Sequence, residues 1–233
     1  MTNQRPGPAA RLRATLGEII LTFGAVFVLF AAYEIWGTGL AVSAHQRDLD
    51  RQLAQLWDEP VVVAPTTPAP VPASGPASAS AAPAPATYGA PPANGRAVAR
   101  LRIPGLRKDW VVVQGVSPDN LRYGPGHYPT SAMPGELGNF AVAGHRMPSV
   151  FWDLDRLRPG DPIIVETRTR TFTYLVTEQR VVAPTAVDVV APVPGHAGAE
   201  PRDRWLTLTT CNPKWDNYQR LVVHAILDSV APR

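Results

Sequence analysis

Residues 61–95, VVVAPTTPAPVPASGPASASAAPAPATYGAPPANG, decide how the rest of this chain can be organised. The stretch carries nine prolines and no charged residue. Proline fixes φ and lacks the N–H that a helix or a ladder needs, and Ala, Ser and Thr offer little apolar bulk to bury. No core can form here, so the stretch reads as a semi-extended linker. In polyproline II geometry it reaches roughly 100 Å at about 3.1 Å per residue. It divides the 233-residue chain into an N-terminal part and one foldable part, residues 96–233.

The N-terminal part contains a second constraint. Leu16–Trp36 is a 21-residue apolar run with Glu18 and Glu34 confined to its ends. About 20 residues at 1.5 Å rise match a hydrocarbon core of roughly 30 Å. Arg5, Arg11 and Arg13 precede the run, and Tyr33 and Trp36 stand where an interfacial aromatic belt would lie. The pattern predicts a single-pass anchor over 16–36, with residues 1–15 in the cytoplasm and everything after it outside. A cleaved signal peptide is the rival, since VSAHQ offers small residues at Val42 and Ala44. A 15-residue uncharged core, Ile19 to Tyr33, is long for that role. Residues 37–60 then place Leu49, Leu53, Leu56 and Trp57 at helical spacing, a short juxtamembrane helix lying on or rising from the membrane.

Residues 96–233 read as mainly β. AVARLRI, WVVVQGV, NFAVAGHR, DPIIVETR, TFTYLVTEQRVVA, RWLTLTTC and YQRLVVHAIL are short and rich in β-branched residues. Phe172, Tyr174 and Val176 alternate with threonines in the period of a half-buried strand, and ETRTRT reads as a hairpin turn. Helical pieces are few, foremost among them SPDNLRY and PSVFWDLDRL. Seven or eight strands with small helices predict a closed β-barrel. Charge is sparse, at 18% of residues and a net +3, and no basic block tracks a phosphate backbone, which argues against nucleic acid as a partner.

Cys211 is the only cysteine, so no internal disulfide is available. In a strand it shares a face with Thr207 and Thr209, while Leu206, Leu208 and Thr210 share the other. A free thiol retained in an exported chain is an oxidation liability, which points to use. A thiol nucleophile needs a base. By placement His145, ending the strand after a glycine, is the leading candidate and His127, in the Gly/Pro loop GPGHYP, the second. Arg220 opens the last strand nine residues after Cys211 and could face a developing oxyanion. No histidine pair has metal spacing, and neither metal nor cofactor is expected.

TLTTCNP with downstream QRLVVHA, upstream AGHR, and GPGHYPTSAMPGELGNF together resemble the class E sortases of actinobacteria. The resemblance covers residues 96–233 and the layout of anchor and linker. It implies an eight-stranded sortase-like β-barrel and a membrane-anchored cysteine transpeptidase. Such enzymes cut a C-terminal LAxTG- or LPxTG-like sorting signal of secreted proteins between Thr and Gly. They pass the thioacyl intermediate to a peptidoglycan amine. The resemblance assigns the nucleophile to Cys211, the general acid/base to His145 and the stabilising guanidinium to Arg220. It adds Tyr128 as a specificity residue, with Thr209 and Thr210 beside the cysteine as further substrate contacts. The competing readings are a pilin-polymerising sortase and a tethered β-barrel binding module with an inert thiol. An L,D-transpeptidase would need a Ser-His-Gly-x-x-Cys run, which Thr209-Thr210-Cys211 does not supply.

Overall fold

The computed structural model describes residues 8–33, 38–58 and 91–233. Most of the linker, residues 61–90, and the end of the apolar run lie outside the described residues. Eight strands run in chain order as β1 (Ala97–Ile103), β2 (Lys108–Gln114), β3 (Gly126–His127), β4 (Gly138–Ala143), β5 (Pro162–Glu166), β6 (Arg170–Val182), β7 (Arg204–Asn212) and β8 (Gln219–Pro232). They close into a barrel in the order β1-β2-β3-β4-β7-β8-β6-β5, sealed by antiparallel pairing of β5 with β1. Closure leaves the sheet without an open edge. Two pairs are parallel, β2 with β3 and β4 with β7, and the rest antiparallel.

Alternation builds the interior. Phe172, Tyr174 and Val176 of β6, Leu206 and Leu208 of β7, and Phe140 and Val142 of β4 all point inward and are buried. Each such side chain stabilises the fold by about 1.5–3 kcal/mol relative to exposure. Tyr174 is completely buried, and its hydroxyl accepts the Gly135 N–H at 2.8 Å. Two expectations need correction. GPGHYP, read as a loop, contains β3, whose two residues are too few for any periodic signal. PSVFWDLDRL, read as a helix, forms tight turns and a single 3₁₀ turn at Leu154–Arg156. There Val150, Phe151, Leu154 and Leu157 drop into the barrel core, and the backbone follows them with short bonds such as Val150 N–H to Met147 O and Leu157 N–H to Leu154 O. SPDNLRY does begin with a helical turn, α3 (Pro118–Leu121), capped by Ser117 accepting from Asn120 N–H.

Before the barrel come α1 (Pro8–Ala32) and α2 (Thr38–Asp58). The side chains from Leu16 to Phe30 are exposed throughout. Among the described residues no helix is long and apolar enough to cross a membrane. Leu49, Leu53 and Trp57 of α2, which the sequence pattern gives to a juxtamembrane helix, pack on Ala97, Val111 and Val113 of β1 and β2.

Two histidines are interior. His127 meets Gln114 (2.7 Å), donates from Nε2 to Ala132 O (3.0 Å) and stacks on Phe140. His224 meets Thr207 Oγ1 at 2.9 Å. Burial pulls both imidazoles below their ordinary pKa. The unfolded chain therefore takes up protons first as pH falls through about 6.5. Stability is full above that pH and declines below it, by up to about 1.4 kcal/mol per pH unit for each histidine. Unfolding midpoints measured from pH 8 to 5 are expected to be level at first and then to fall. A midpoint that rises below pH 6.5 would contradict this reading.

Candidate active site

The site forms where β4 and β7 end and β8 begins. Ala143 of β4 pairs with Thr209 of β7, and the Gly144 N–H extends that ladder to Thr209 O at 3.0 Å. His145 therefore follows a backbone already fixed two residues from Cys211. Gly144 is required for this path, because a Cβ there would lie 2.6 Å from Phe151 Cδ2. The carbonyl of His145 accepts the Phe151 N–H at 3.1 Å. Trp110 Nε1 and Lys108 Nζ hold the next residues through Ser149 O (2.9 Å) and Pro148 O (2.7 Å). The segment carrying the exposed His145 ring is pinned on both sides.

Cys211 is half-buried and free, one residue before β7 ends. Directly across the ladder from it stands Arg220 of β8. Residues directly opposite in an antiparallel pair project to the same face of the sheet. Arg220 Nη1 donates to Asn217 O (2.6 Å) and Gln219 O (2.8 Å). Its Nε and Nη2 make no hydrogen bond among the described residues, which leaves donors for an anion.

Cys211 and His145 line one cavity of about 860 Å³. Its other walls come from Ala41 and Val42 of α2, from Arg122 and Tyr123 after α3, and from Lys214–Asn217 of the β7–β8 loop. Arg220 adjoins Cys211 by register but does not line this cavity. Tyr128 also lies off the cavity, its hydroxyl 3.2 Å from Thr209 Oγ1, and Thr209 is almost fully buried. Thr210 is corrected: period 2 puts it on the inner face with Leu206 and Leu208, buried and opposite the core residue Leu221, away from the cavity. His127 and His224 are engaged in the interior, and His145 is the histidine that lines the cavity with the thiol. Among the described residues no three His, Cys, Asp or Glu side chains gather to hold a metal ion.

Arg146 is a participant that the sequence reading overlooked. Its side chain is buried, and Nη1 donates to Asn212 Oδ1 (2.9 Å) and Cys211 O (3.3 Å) while Nη2 pairs with Asp155 (3.2 Å). It thereby ties the backbone of the nucleophile's strand end to the segment bearing His145. Asp155 also pairs with Lys214 (3.2 Å), whose Nζ lies 5.3 Å from the Trp152 ring centroid. An Arg adjoining the histidine in AGHR was the available clue.

The arrangement supplies what acyl transfer from a peptide requires: a thiol at a strand mouth, an imidazole in the same cavity, and a guanidinium in register beside the thiol. A model of the Sortase domain matches residues 101–228. Sortase SrtE1 of Streptomyces coelicolor is 30% identical over 99% of this chain, which spans 61% of that relative's length. The structure of sortase E1 from Streptomyces coelicolor with a tripeptide in the active site superposes with a TM-score of 0.56, at 36% identity over 60% of this chain and 92% of that one. Sortase E from Streptomyces avermitilis gives a TM-score of 0.53, at 40% identity over 60% of this chain and 93% of the other.

Proposed function

Since this chain belongs to the sortase family, we propose that it is a cysteine transpeptidase that joins secreted proteins to the cell wall. The observation that carries the reading is the opening of Cys211 and His145 into one cavity with Arg220 across the ladder from the thiol. Cys211 attacks the Thr carbonyl of an LAxTG- or LPxTG-like signal and expels the Gly amine, which takes a proton from His145. Arg220 stabilises the oxyanion of the tetrahedral intermediate through the N–H groups its loop contacts leave open. A peptidoglycan amine then resolves the thioacyl enzyme. The acyl portion of the signal runs past Tyr128 and Thr209, on the sheet face that Cys211 shares.

The proposal includes a single-pass anchor over residues 16–36, with the N-terminus in the cytoplasm and the barrel outside. Supporting it are the exposed apolar side chains from Leu16 to Phe30 and the arginines that precede them. Water does not favour so long an exposed apolar run.

Incubation of the purified chain with LAxTG and LPxTG peptides and a free amine tests the activity. Cleavage after Thr with formation of the amide is expected. A folded protein that cleaves neither peptide would overturn the proposal.

A further inference from the structure

The cavity beside Cys211 has a wall that the barrel does not supply. Val42 of α2 is buried yet lines it, together with Ala41 and Tyr33. α2 is fastened to the barrel in a way a casual contact would not need. The Gln46 side chain accepts the Val111 N–H (2.7 Å) and donates to Val111 O (3.3 Å) and Tyr123 O (3.1 Å), completing a stretch of β2 backbone as a neighbouring strand would. Gly124 leaves room for that amide, since a Cβ there would overlap it. Asp50 pairs with Arg100 of β1, the His45 ring lies 4.7 Å from that of Tyr123, and Arg233 lies over the Trp57 ring at 3.6 Å. Helix and barrel bury one apolar cluster between them. The catalytic unit therefore includes residues on both sides of the proline-rich linker.

Tyr128 and Thr209, on the face given to the acyl portion of the signal, lie outside this cavity. The space between α2 and the β7–β8 loop is left for the group that replaces the departing glycine. Among the described residues Asp216 is the one carboxylate on its lining. Asp216 is exposed, and Oδ1 accepts the Asn217 N–H at 2.7 Å, which leaves Oδ2 without a partner among the described residues. Of the cationic lining groups, Arg146 and Lys214 are neutralised by Asp153 and Asp155, and Arg122 lies over the Tyr123 ring, its guanidinium carbon 5.4 Å from the ring centroid.

We propose that the cavity between α2 and the β7–β8 loop receives the acceptor amine, with Asp216 drawing its ammonium and Val42 limiting its bulk. This rests on the transpeptidase reading. On arrival the ammonium gives one proton to solvent. The amine nitrogen then bonds to the thioacyl carbon, its next proton passes to His145, and the C–S bond breaks with its electron pair on Cys211 sulfur. Amide product leaves, and thiolate and imidazolium together restore the starting protonation.

The test is partition of one intermediate between two amines. Full-length protein in detergent receives an LAxTG peptide with hydroxylamine, small and uncharged at neutral pH, in competition with an alanyl-glutamyl-diaminopimelate tripeptide. The ratio of tripeptide amide to hydroxamate is expected to fall about tenfold in Asp216→Asn and in Val42→Trp, and to rise in Val42→Ala. Loss of a merely structural contact lowers both products together, so an unchanged ratio in Asp216→Asn overturns the inference. So does a wild type that cleaves the signal yet makes no tripeptide amide. A wild type that fails to cleave the signal overturns the transpeptidase reading itself. Should Val42→Trp fail to fold, Asp216→Asn, at an exposed loop position, decides alone.

Discussion

Cys211→Ala is expected to abolish cleavage of a sorting-signal peptide, a loss on the order of a millionfold, while leaving the barrel folded. The substitution removes the only thiol in the chain, and with it the atom that forms the acyl bond. No neighbour can substitute: Thr209 is almost fully buried with its hydroxyl beside Tyr128, and Thr210 points into the core. Stability should change by no more than about 1 kcal/mol, because Cys211 is only half-buried and makes no disulfide. Peptide cleavage followed by chromatography, with an unfolding curve on the same sample, separates the two effects. A binding module with an inert thiol predicts no functional change at all. Residual turnover near wild type would favour that alternative.

Arg220→Lys should lower kcat by about 100- to 1000-fold with a smaller change in KM, the signature of a donor used mainly in the transition state. Lysine keeps the charge but not the planar fork. One edge of the guanidinium binds Asn217 O and Gln219 O, which orients it from its own loop. A lysine can satisfy a carbonyl of that loop or reach toward the oxyanion, but its single nitrogen does not reproduce both edges of the fork. Steady-state kinetics with one signal peptide checks this. A kcat near wild type would remove Arg220 from the mechanism.

The β-barrel was legible because its inner face obeys period 2. Phe172, Tyr174 and Val176 are as buried as their alternation implies. Cys211 and Arg220 were close in sequence, and a single antiparallel register places them opposite each other. His145 is 66 residues upstream of Cys211, and placement at the end of a strand after Gly144 was enough to favour it. Other features left no local trace. β3 has two residues, Gly126 and His127, and shows no period. The segment after Pro148 has helical spacing of Val150, Phe151, Leu154 and Leu157, yet core burial bends it into tight turns. Arg146 acts through Cys211 and Asn212, 65 and 66 residues away. α2 was legible as an amphipathic helix, but not what its apolar face covers. Its partners, Val111 and Tyr123, lie beyond a linker that cannot transmit register.

That docking alters what counts as the enzyme. A chain begun after the linker would keep Cys211, His145 and Arg220 but lose one cavity wall and the Gln46 contacts to β2. Val111, Val113 and Ala97 would lose their apolar cover.

Acylation of Cys211 by the sorting signal is open to test by mass spectrometry of the intermediate. Full-length protein mixed with an LAxTG peptide, without added amine, is quenched in acid within seconds and digested. The peptide containing Cys211 is expected to gain the mass of the acyl fragment ending in Thr, and hydroxylamine to release it. Cleavage of the signal with no adduct on Cys211, or with the adduct on another residue, would contradict it.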